Sequence, residues 1–119
     1  MDVHIALITA DPVTESACLT TLKPLSIPCN HYIDHGAFIQ ALARGWPAVV
    51  IVDTTCLEPS QQSAYIALQQ LSLRLPVLLL TPDGAIDSAV LGIRWGARDC
   101  LEKGLISLQL AQRVNQLLA

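Results

Sequence analysis

Five short apolar runs alternate with five longer stretches of helical character along this chain. The runs lie at residues 3–9, 27–32, 48–53, 76–81 and 98–101, and the helix candidates lie at residues 12–23, 35–44, 60–73, 84–95 and 105–118. Five strand–helix units in succession predict an α/β fold with a parallel sheet and helices on both of its faces. A chain of 119 residues suits one such domain, and we assign residues 1–119 to it.

The composition argues against several classes of protein. Hydrophobic residues make up 52% of the chain and charged residues 14%, as expected when strands are buried on both faces. The net charge is −3 and no cluster of arginine and lysine occurs, so we expect no direct contact with nucleic acid. The longest unbroken apolar run has five residues, far fewer than the ~20 needed to span a membrane. Because no cleavable leader follows Met1, we expect a cytoplasmic protein without a membrane partner.

The cysteines and histidines give no sign of a metal site. The four cysteines are widely spaced and form no CxxC pair, so we interpret them as reduced thiols in or near the core. The three histidines are scattered along the chain and are read as structural or surface residues.

Two helix candidates have faces that can be assigned from the spacing of their apolar residues. In the candidate at 105–118, an apolar stripe predicts the buried face and consists of Ile106, Leu110, Val114 and Leu117. In the candidate at 84–95, the inward stripe is predicted to be Ile86, Ala89, Val90 and Ile93. Leu91 and Trp95 fall on nearly the opposite side and form a candidate contact patch. The alternative is that Trp95 folds down over the fifth strand.

Four polar residues end strands or follow them closely. Asp11 comes after the first strand, Asp53 ends the third, Thr81 ends the fourth and Lys103 lies just past the fifth. The carboxyl ends of parallel strands share one edge of the sheet, so these side chains should converge there. Asp11, followed by Pro12, also reads as the N-cap of the first helix.

This set of side chains suits phosphoryl chemistry. Two carboxylates can hold a hard divalent cation through oxygen, and a carboxylate beside such a cation can act as a nucleophile. A hydroxyl and an ammonium group can hydrogen-bond to a phosphoryl group and neutralise its charge. Asp53 is therefore a candidate for forming an aspartyl phosphate.

Three segments resemble the receiver domains of two-component response regulators. They are AVVIVDTTCLEP around the third strand, PVLLLTPDG at the fourth strand and AVLGIRWGARDCLEKG from the fourth helix to the fifth strand. The resemblance covers essentially the whole chain and implies a flavodoxin-like, three-layer (βα)5 domain with a five-stranded parallel sheet. It also implies a signalling domain that accepts a phosphoryl group, and not a metabolic enzyme.

The same resemblance implies roles for individual residues. Asp53 would be the phosphoacceptor, Thr81 the switch hydroxyl and Lys103 the lysine that pairs with the phosphate. Mg²⁺ would be held by Asp11, Asp53 and a backbone carbonyl near Thr55. A histidine kinase or phosphotransfer protein would donate the phosphoryl group, and the face formed by the fourth helix with the fifth strand and helix would make partner or homodimer contacts.

The chain departs from the receiver pattern at three positions. Ala10 replaces one of two adjacent acids after the first strand, which should weaken Mg²⁺ binding. Gly104 follows the lysine where proline is usual, so the proline restraint is missing. Cys100 occupies the position of the switch aromatic, whose swing a cysteine cannot reproduce. Asp83, near Thr81, reads as a solvated loop acid that could also line the site.

These departures leave two hypotheses open, and a third is weak because the sequence lacks a phosphate-binding loop. The first is a receiver that switches protein contacts through phosphorylation of Asp53. The second is a pseudo-receiver that dimerises or docks without phosphorylation. The third is a small α/β enzyme or nucleotide binder, which predicts a glycine-rich phosphate loop after the first strand. The segment there is TADPVTES, which is not such a loop.

Overall fold

A computed structural model describes residues 3–56, 69–70, 74–85, 90, 92–94 and 96–118. The strands are β1 (Ile5–Ile8), β2 (Cys29–Tyr32), β3 (Val49–Asp53), β4 (Val77–Thr81) and β5 (Asp99–Glu102). They form one sheet in the order β2-β1-β3-β4-β5, and every pairing in it is parallel. The predicted α/β fold with a five-stranded parallel sheet is confirmed.

Helices follow β1, β2 and β5, as the sequence predicts. They include α1 (Pro12–Leu22), α2 (His35–Ala41) and a C-terminal helix (Ile106–Leu118), with single 3-10 turns at Lys23–Leu25, Leu42–Arg44, Thr54–Cys56 and Lys103–Leu105. Asp11 caps α1, since its side chain accepts a hydrogen bond from the amide of Val13, and Pro12 starts the helix. Of the candidate at 60–73, only residues 69–70 are described, and they are helical.

A hydrophobic core lies on each face of the sheet. One cluster contains Phe38 of α2 together with Val52 and Leu79 of the central strands. The other joins α1 and the C-terminal helix to the opposite face of the same strands. Ile106, Leu110 and Val114 are buried in this second cluster and Leu117 packs against it, so the predicted stripe of the last helix is confirmed.

The predicted rotation of the fourth helix candidate is wrong. Val90 and Ile93 were expected to face inward, but they are 53% and 50% exposed. Gly92 is buried instead, and a Cβ atom at this position would overlap the side chain of Leu79. The missing side chain lets the helix backbone approach β4 closely. Ile86, Ala89, Leu91 and Trp95 lie outside the described residues.

Burial keeps the thiols of three cysteines protonated. Burial raises the pKa of Cys18 to about 12 and that of Cys29 to about 11, and it also raises the pKa of Cys100. Protonated, buried thiols pack as small apolar groups and react slowly with oxidants. This supports the interpretation of these three cysteines as core or near-core residues.

His35 should make the stability of the fold depend on pH. Both of its ring nitrogens are buried and lack a hydrogen-bond partner among the described residues. Desolvation lowers the pKa of His35 below its ordinary value of 6.5, although nearby Asp34 opposes this shift. The unfolded chain therefore binds a proton more readily, so stability is full above about pH 6.5 and falls as the pH drops below it.

Urea unfolding of the wild type and His35→Phe at about pH 7.5 and about pH 5.5 would measure this effect. We expect His35→Phe to lose less stability than the wild type over that interval, because phenylalanine has no proton to bind. Equal losses for the two proteins would contradict the assignment to His35.

Candidate functional site

The predicted polar residues meet at the carboxyl edge of the sheet. Asp53 is the last residue of β3 and pairs with Leu80, so Thr81 ends β4 one residue further along. Lys103 follows β5 directly, and its ammonium group lies near the carboxylates of Asp11 and Asp53. Its Nζ atom lies 2.9 Å from Oδ2 of Asp53 and 3.7 Å from Oδ2 of Asp11. Residues 11, 53 and 103, distant in sequence, thus form one charge cluster.

Asp53 is fully buried and heavily hydrogen-bonded. Its Oδ1 atom accepts bonds from the backbone amide of Thr55 at 3.0 Å and from the hydroxyl of Thr55 at 2.8 Å. Its Oδ2 atom accepts a bond from the hydroxyl of Thr9 at 2.8 Å and contacts Lys103. A buried carboxylate needs such partners, because an unpaired charge is costly to remove from water.

Asp11 performs two tasks at once. Its Oδ1 atom accepts a bond from the amide of Val13 at 3.1 Å, and its Oδ2 atom accepts one from the hydroxyl of Thr14 at 2.7 Å. The bonds from Thr14 and Val13 lower the pKa of the Asp11 carboxyl, and the charge of Lys103 lowers it further. Asp11 is therefore an ionised helix cap that also faces the ammonium group.

Thr9 is a site residue that the sequence analysis missed. It follows β1 directly, is fully buried and contacts Asp53 through its hydroxyl. The available signal was a single hydroxyl residue at the end of an otherwise apolar run, IALIT. Such a residue is easily taken for an ordinary strand end, so only its proximity to Asp53 reveals its place in the site.

Thr55 and Thr81 are both placed at the site edge. Thr55 was predicted to offer its backbone carbonyl to a cation, and the structure shows its amide and hydroxyl donating to Asp53. Thr81 is 2% exposed and pairs with Glu102, the residue before Lys103. Its position beside the end of β3 suits the predicted switch hydroxyl, which stays a prediction.

Gly104 receives a restraint that the sequence did not reveal. Its amide donates a hydrogen bond of 2.9 Å to Oδ1 of Asp83 in the loop after β4. Proline at this position would lack the donor, and any Cβ atom would crowd the Asp83 carboxylate. Asp83 is exposed, as expected. Its carboxylate nevertheless links the loop after β4 to the turn after β5 that contains Lys103.

The position of the expected switch aromatic is partly buried. Cys100 packs against the core cluster that contains Leu79, close to the backbone of Gly92. A small sulfur side chain suits a place where the helix backbone approaches the sheet this closely.

The site contains two carboxylates suited to a hard divalent cation. Asp11 and Asp53 both lie near the ammonium group of Lys103. A divalent cation near them would be bound through their carboxylate oxygens, which are the ligands that hard cations prefer. Within the described ranges, no group of three or more histidine, cysteine, aspartate or glutamate residues could hold a metal ion. The described part of the site therefore offers two carboxylates, those of Asp11 and Asp53, to a cation such as Mg²⁺, and the weakened binding expected from Ala10 stays a prediction.

An apolar groove lies beside the charge cluster, between α1 and the C-terminal helix. Val13, two residues after Asp11, is 76% exposed, and Leu108, in the first turn of the C-terminal helix, is 77% exposed. The groove is lined mainly by small and apolar side chains from Pro12, Val13, Ser16, Ala17, Thr20, Thr21 and Ser107.

Comparison with known proteins agrees with the receiver fold. No family model matches the chain. The regulatory protein LuxO of Vibrio cholerae is 29% identical over 94 residues, which are 79% of this chain and 21% of that protein. The chain thus spans about a fifth of the length of this curated relative.

Solved receiver domains superpose along nearly the whole chain. The signal receiver domain of a LuxO repressor protein from Vibrio parahaemolyticus has a TM-score of 0.82 and 23% identity, covering 99% of this chain and 91% of that one. The receiver domain of NtrX from Brucella abortus has a TM-score of 0.83 and 21% identity, covering 96% and 97%. The chain therefore has the fold of response-regulator receiver domains, and the resemblance inferred from its motifs is confirmed at that level.

No helix among the described residues is long and apolar enough to cross a membrane.

Proposed function

We propose that residues 1–119 form a cytoplasmic receiver domain that accepts a phosphoryl group on Asp53 and thereby changes its protein contacts. The observation that carries this proposal is the placement of Lys103 Nζ 2.9 Å from the buried Asp53 carboxylate at the carboxyl edge of the sheet. Ligands of open parallel sheets bind at this edge. A buried carboxylate paired with a lysine there provides a nucleophile, and the ammonium group of the lysine can neutralise charge on the incoming phosphoryl group.

The proposed transfer needs few groups from the protein. A carboxylate oxygen of Asp53 attacks the phosphorus of a phosphohistidine in a histidine kinase or phosphotransfer protein. A P–O bond forms, the P–N bond breaks, and the leaving imidazole takes a proton from solvent. Lys103 and Thr81 would then contact the phosphoryl oxygens. Mg²⁺, held by Asp11, Asp53 and the carbonyl of Thr55, would neutralise charge on the phosphoryl group when bound.

The groove between α1 and the C-terminal helix supports this choice of phosphodonor. Val13, which lines the groove two residues after Asp11, is exposed, and so is Leu108, the neighbour in sequence of the lining residue Ser107. A helix that carries the phosphohistidine can bury its apolar face there while the imidazole reaches Asp53. We assign the groove to this donor helix. The predicted dimer face at Leu91 and Trp95 lies outside the described residues and stays a prediction.

One observation favours the pseudo-receiver as a second candidate. Both oxygens of Asp53 already accept two contacts each from protein groups, and Ala10 supplies no further carboxylate. A carboxylate so completely occupied can serve as a structural anchor for Lys103. In that case the domain would dock or dimerise without phosphorylation.

Intact-mass spectrometry after incubation with acetyl phosphate and Mg²⁺ separates the two candidates. We expect a single phosphoryl adduct on the wild type that hydroxylamine removes, because acyl phosphates are cleaved by this nucleophile. Asp53→Asn should reduce the adduct at least about a hundredfold, since removal of the nucleophile abolishes the covalent step.

Asp83→Asn is the matched control for this experiment. It makes the same chemical change in a nearby acid and keeps the oxygen that accepts the Gly104 amide. We expect its adduct to form within a few-fold of the wild-type rate. An adduct that persists in Asp53→Asn would contradict the assignment, and a wild type without any adduct would favour the pseudo-receiver.

A further inference from the structure

The hydrogen-bonding capacity of Asp53 is fully used by protein groups. An ionised carboxylate has about four lone-pair positions, two on each oxygen. Thr55 fills both positions on Oδ1 through its amide and its hydroxyl, and Thr9 and Lys103 fill those on Oδ2. A cation can bind to Asp53 only if one of these four donors leaves.

Thr9 is held so that its proton points at Asp53. Its amide donates to the carbonyl of Tyr32 at 3.0 Å, and its own carbonyl accepts a bond from Nε2 of His31 at 2.7 Å. Its hydroxyl oxygen also accepts a bond from the amide of Asp11 at 3.1 Å. Because a hydroxyl has one proton and the Asp11 amide already supplies its own, the Thr9 proton must be the one in the bond to Asp53.

We propose that the hydroxyl of Thr9 lowers the affinity of this site for Mg²⁺. This hydroxyl occupies an Oδ2 position that a divalent cation would otherwise take, and it is buried beside the two carboxylates that the described part of the site provides. Together with Lys103 it keeps Asp53 satisfied without a metal ion. Thr9 thus acts through Asp53 as a positioning residue, and the inference rests on the proposed function of Asp53 as a phosphoacceptor.

Calorimetric titration of Mg²⁺ into the purified chain tests this role without measuring phosphorylation. Thr9→Val removes the hydroxyl and nearly keeps the shape, and it should bind Mg²⁺ about three to ten times more tightly than the wild type, which corresponds to the net contribution of one typical hydrogen bond. Thr9→Ser keeps the hydroxyl and should stay within about twofold of the wild type. Thr9→Ala replaces Thr9→Val if circular dichroism shows that the valine variant does not fold.

Thr54→Val is the matched control, because the Thr54 hydroxyl donates to the carbonyl of Leu80 at 3.1 Å and not to Asp53. It should leave Mg²⁺ binding unchanged. The inference is overturned if Thr9→Val binds Mg²⁺ no more tightly than the wild type, if neither binds it, or if Thr9→Ser equals Thr9→Val. Tighter binding in Thr9→Val without any phosphoryl adduct on the wild type would reject the proposed phosphorylation and leave the role of Thr9 intact.

Discussion

Replacing Lys103 with methionine should lower the free energy of unfolding by about 3 kcal/mol at neutral pH, the lower end of the range for breaking a buried ion pair. The change removes the ammonium group 2.9 Å from Asp53, which is fully buried, and leaves the Asp53 carboxylate without a counter-charge. We expect the lower end because the Lys103 side chain is still 22% exposed, so water screens part of the interaction. Urea unfolding followed by circular dichroism measures the difference.

The double variant Lys103→Met with Asp53→Asn identifies the cause. Removing both charges should restore most of the lost stability, because the penalty comes from the uncompensated buried carboxylate and not from the lysine stem. Lys23→Met is the matched control, since Lys23 is the other lysine in the sequence and is exposed. It should change the stability by less than about 0.5 kcal/mol. A double variant no more stable than Lys103→Met alone would show that Asp53 does not depend on this charge.

Phe38→Ala should destabilise the fold by about 3–5 kcal/mol, the cost of deleting a buried aromatic side chain. Phe38 is the buried residue of α2, a helix of 7 residues, and it packs into the core cluster between the sheet and this helix. Its ring also meets Tyr32 edge-on, with ring centroids 5.6 Å apart, an arrangement that stabilises aromatic pairs. The truncation therefore leaves a cavity and loosens the attachment of α2 to the sheet.

Ile39→Ala is the control within the same helix. Ile39 is 42% exposed, so its truncation removes less buried area and should cost under about 1 kcal/mol. Both variants can be compared with the wild type by thermal unfolding and by urea titration. Similar losses for the two variants would mean that α2 is not anchored through Phe38.

The sequence determined the order of the elements and the edge at which the polar residues meet. Runs such as AVVIVD are apolar on both faces, as is typical of strands buried inside a parallel sheet. Once the strands are parallel and in order, Asp53 and Lys103 must lie at the same edge whatever the loops do. The capping role of Asp11 was equally predictable, because a cap depends on residues within one helical turn.

The tertiary structure decided which groups touch Asp53 and how the helices are rotated. Thr9 and Asp53 are 44 residues apart, and Asp83 and Gly104 are 21 apart, so no local pattern indicates that either pair is hydrogen-bonded. The rotation of the segment around Gly92 was mispredicted because its apolar residues occupy more than one face, and periodicity then cannot choose between them. In the structure, the face that contains Gly92 is buried against Leu79. Close packing of the backbone against β4 therefore outweighs the burial of the larger apolar side chains on the other faces.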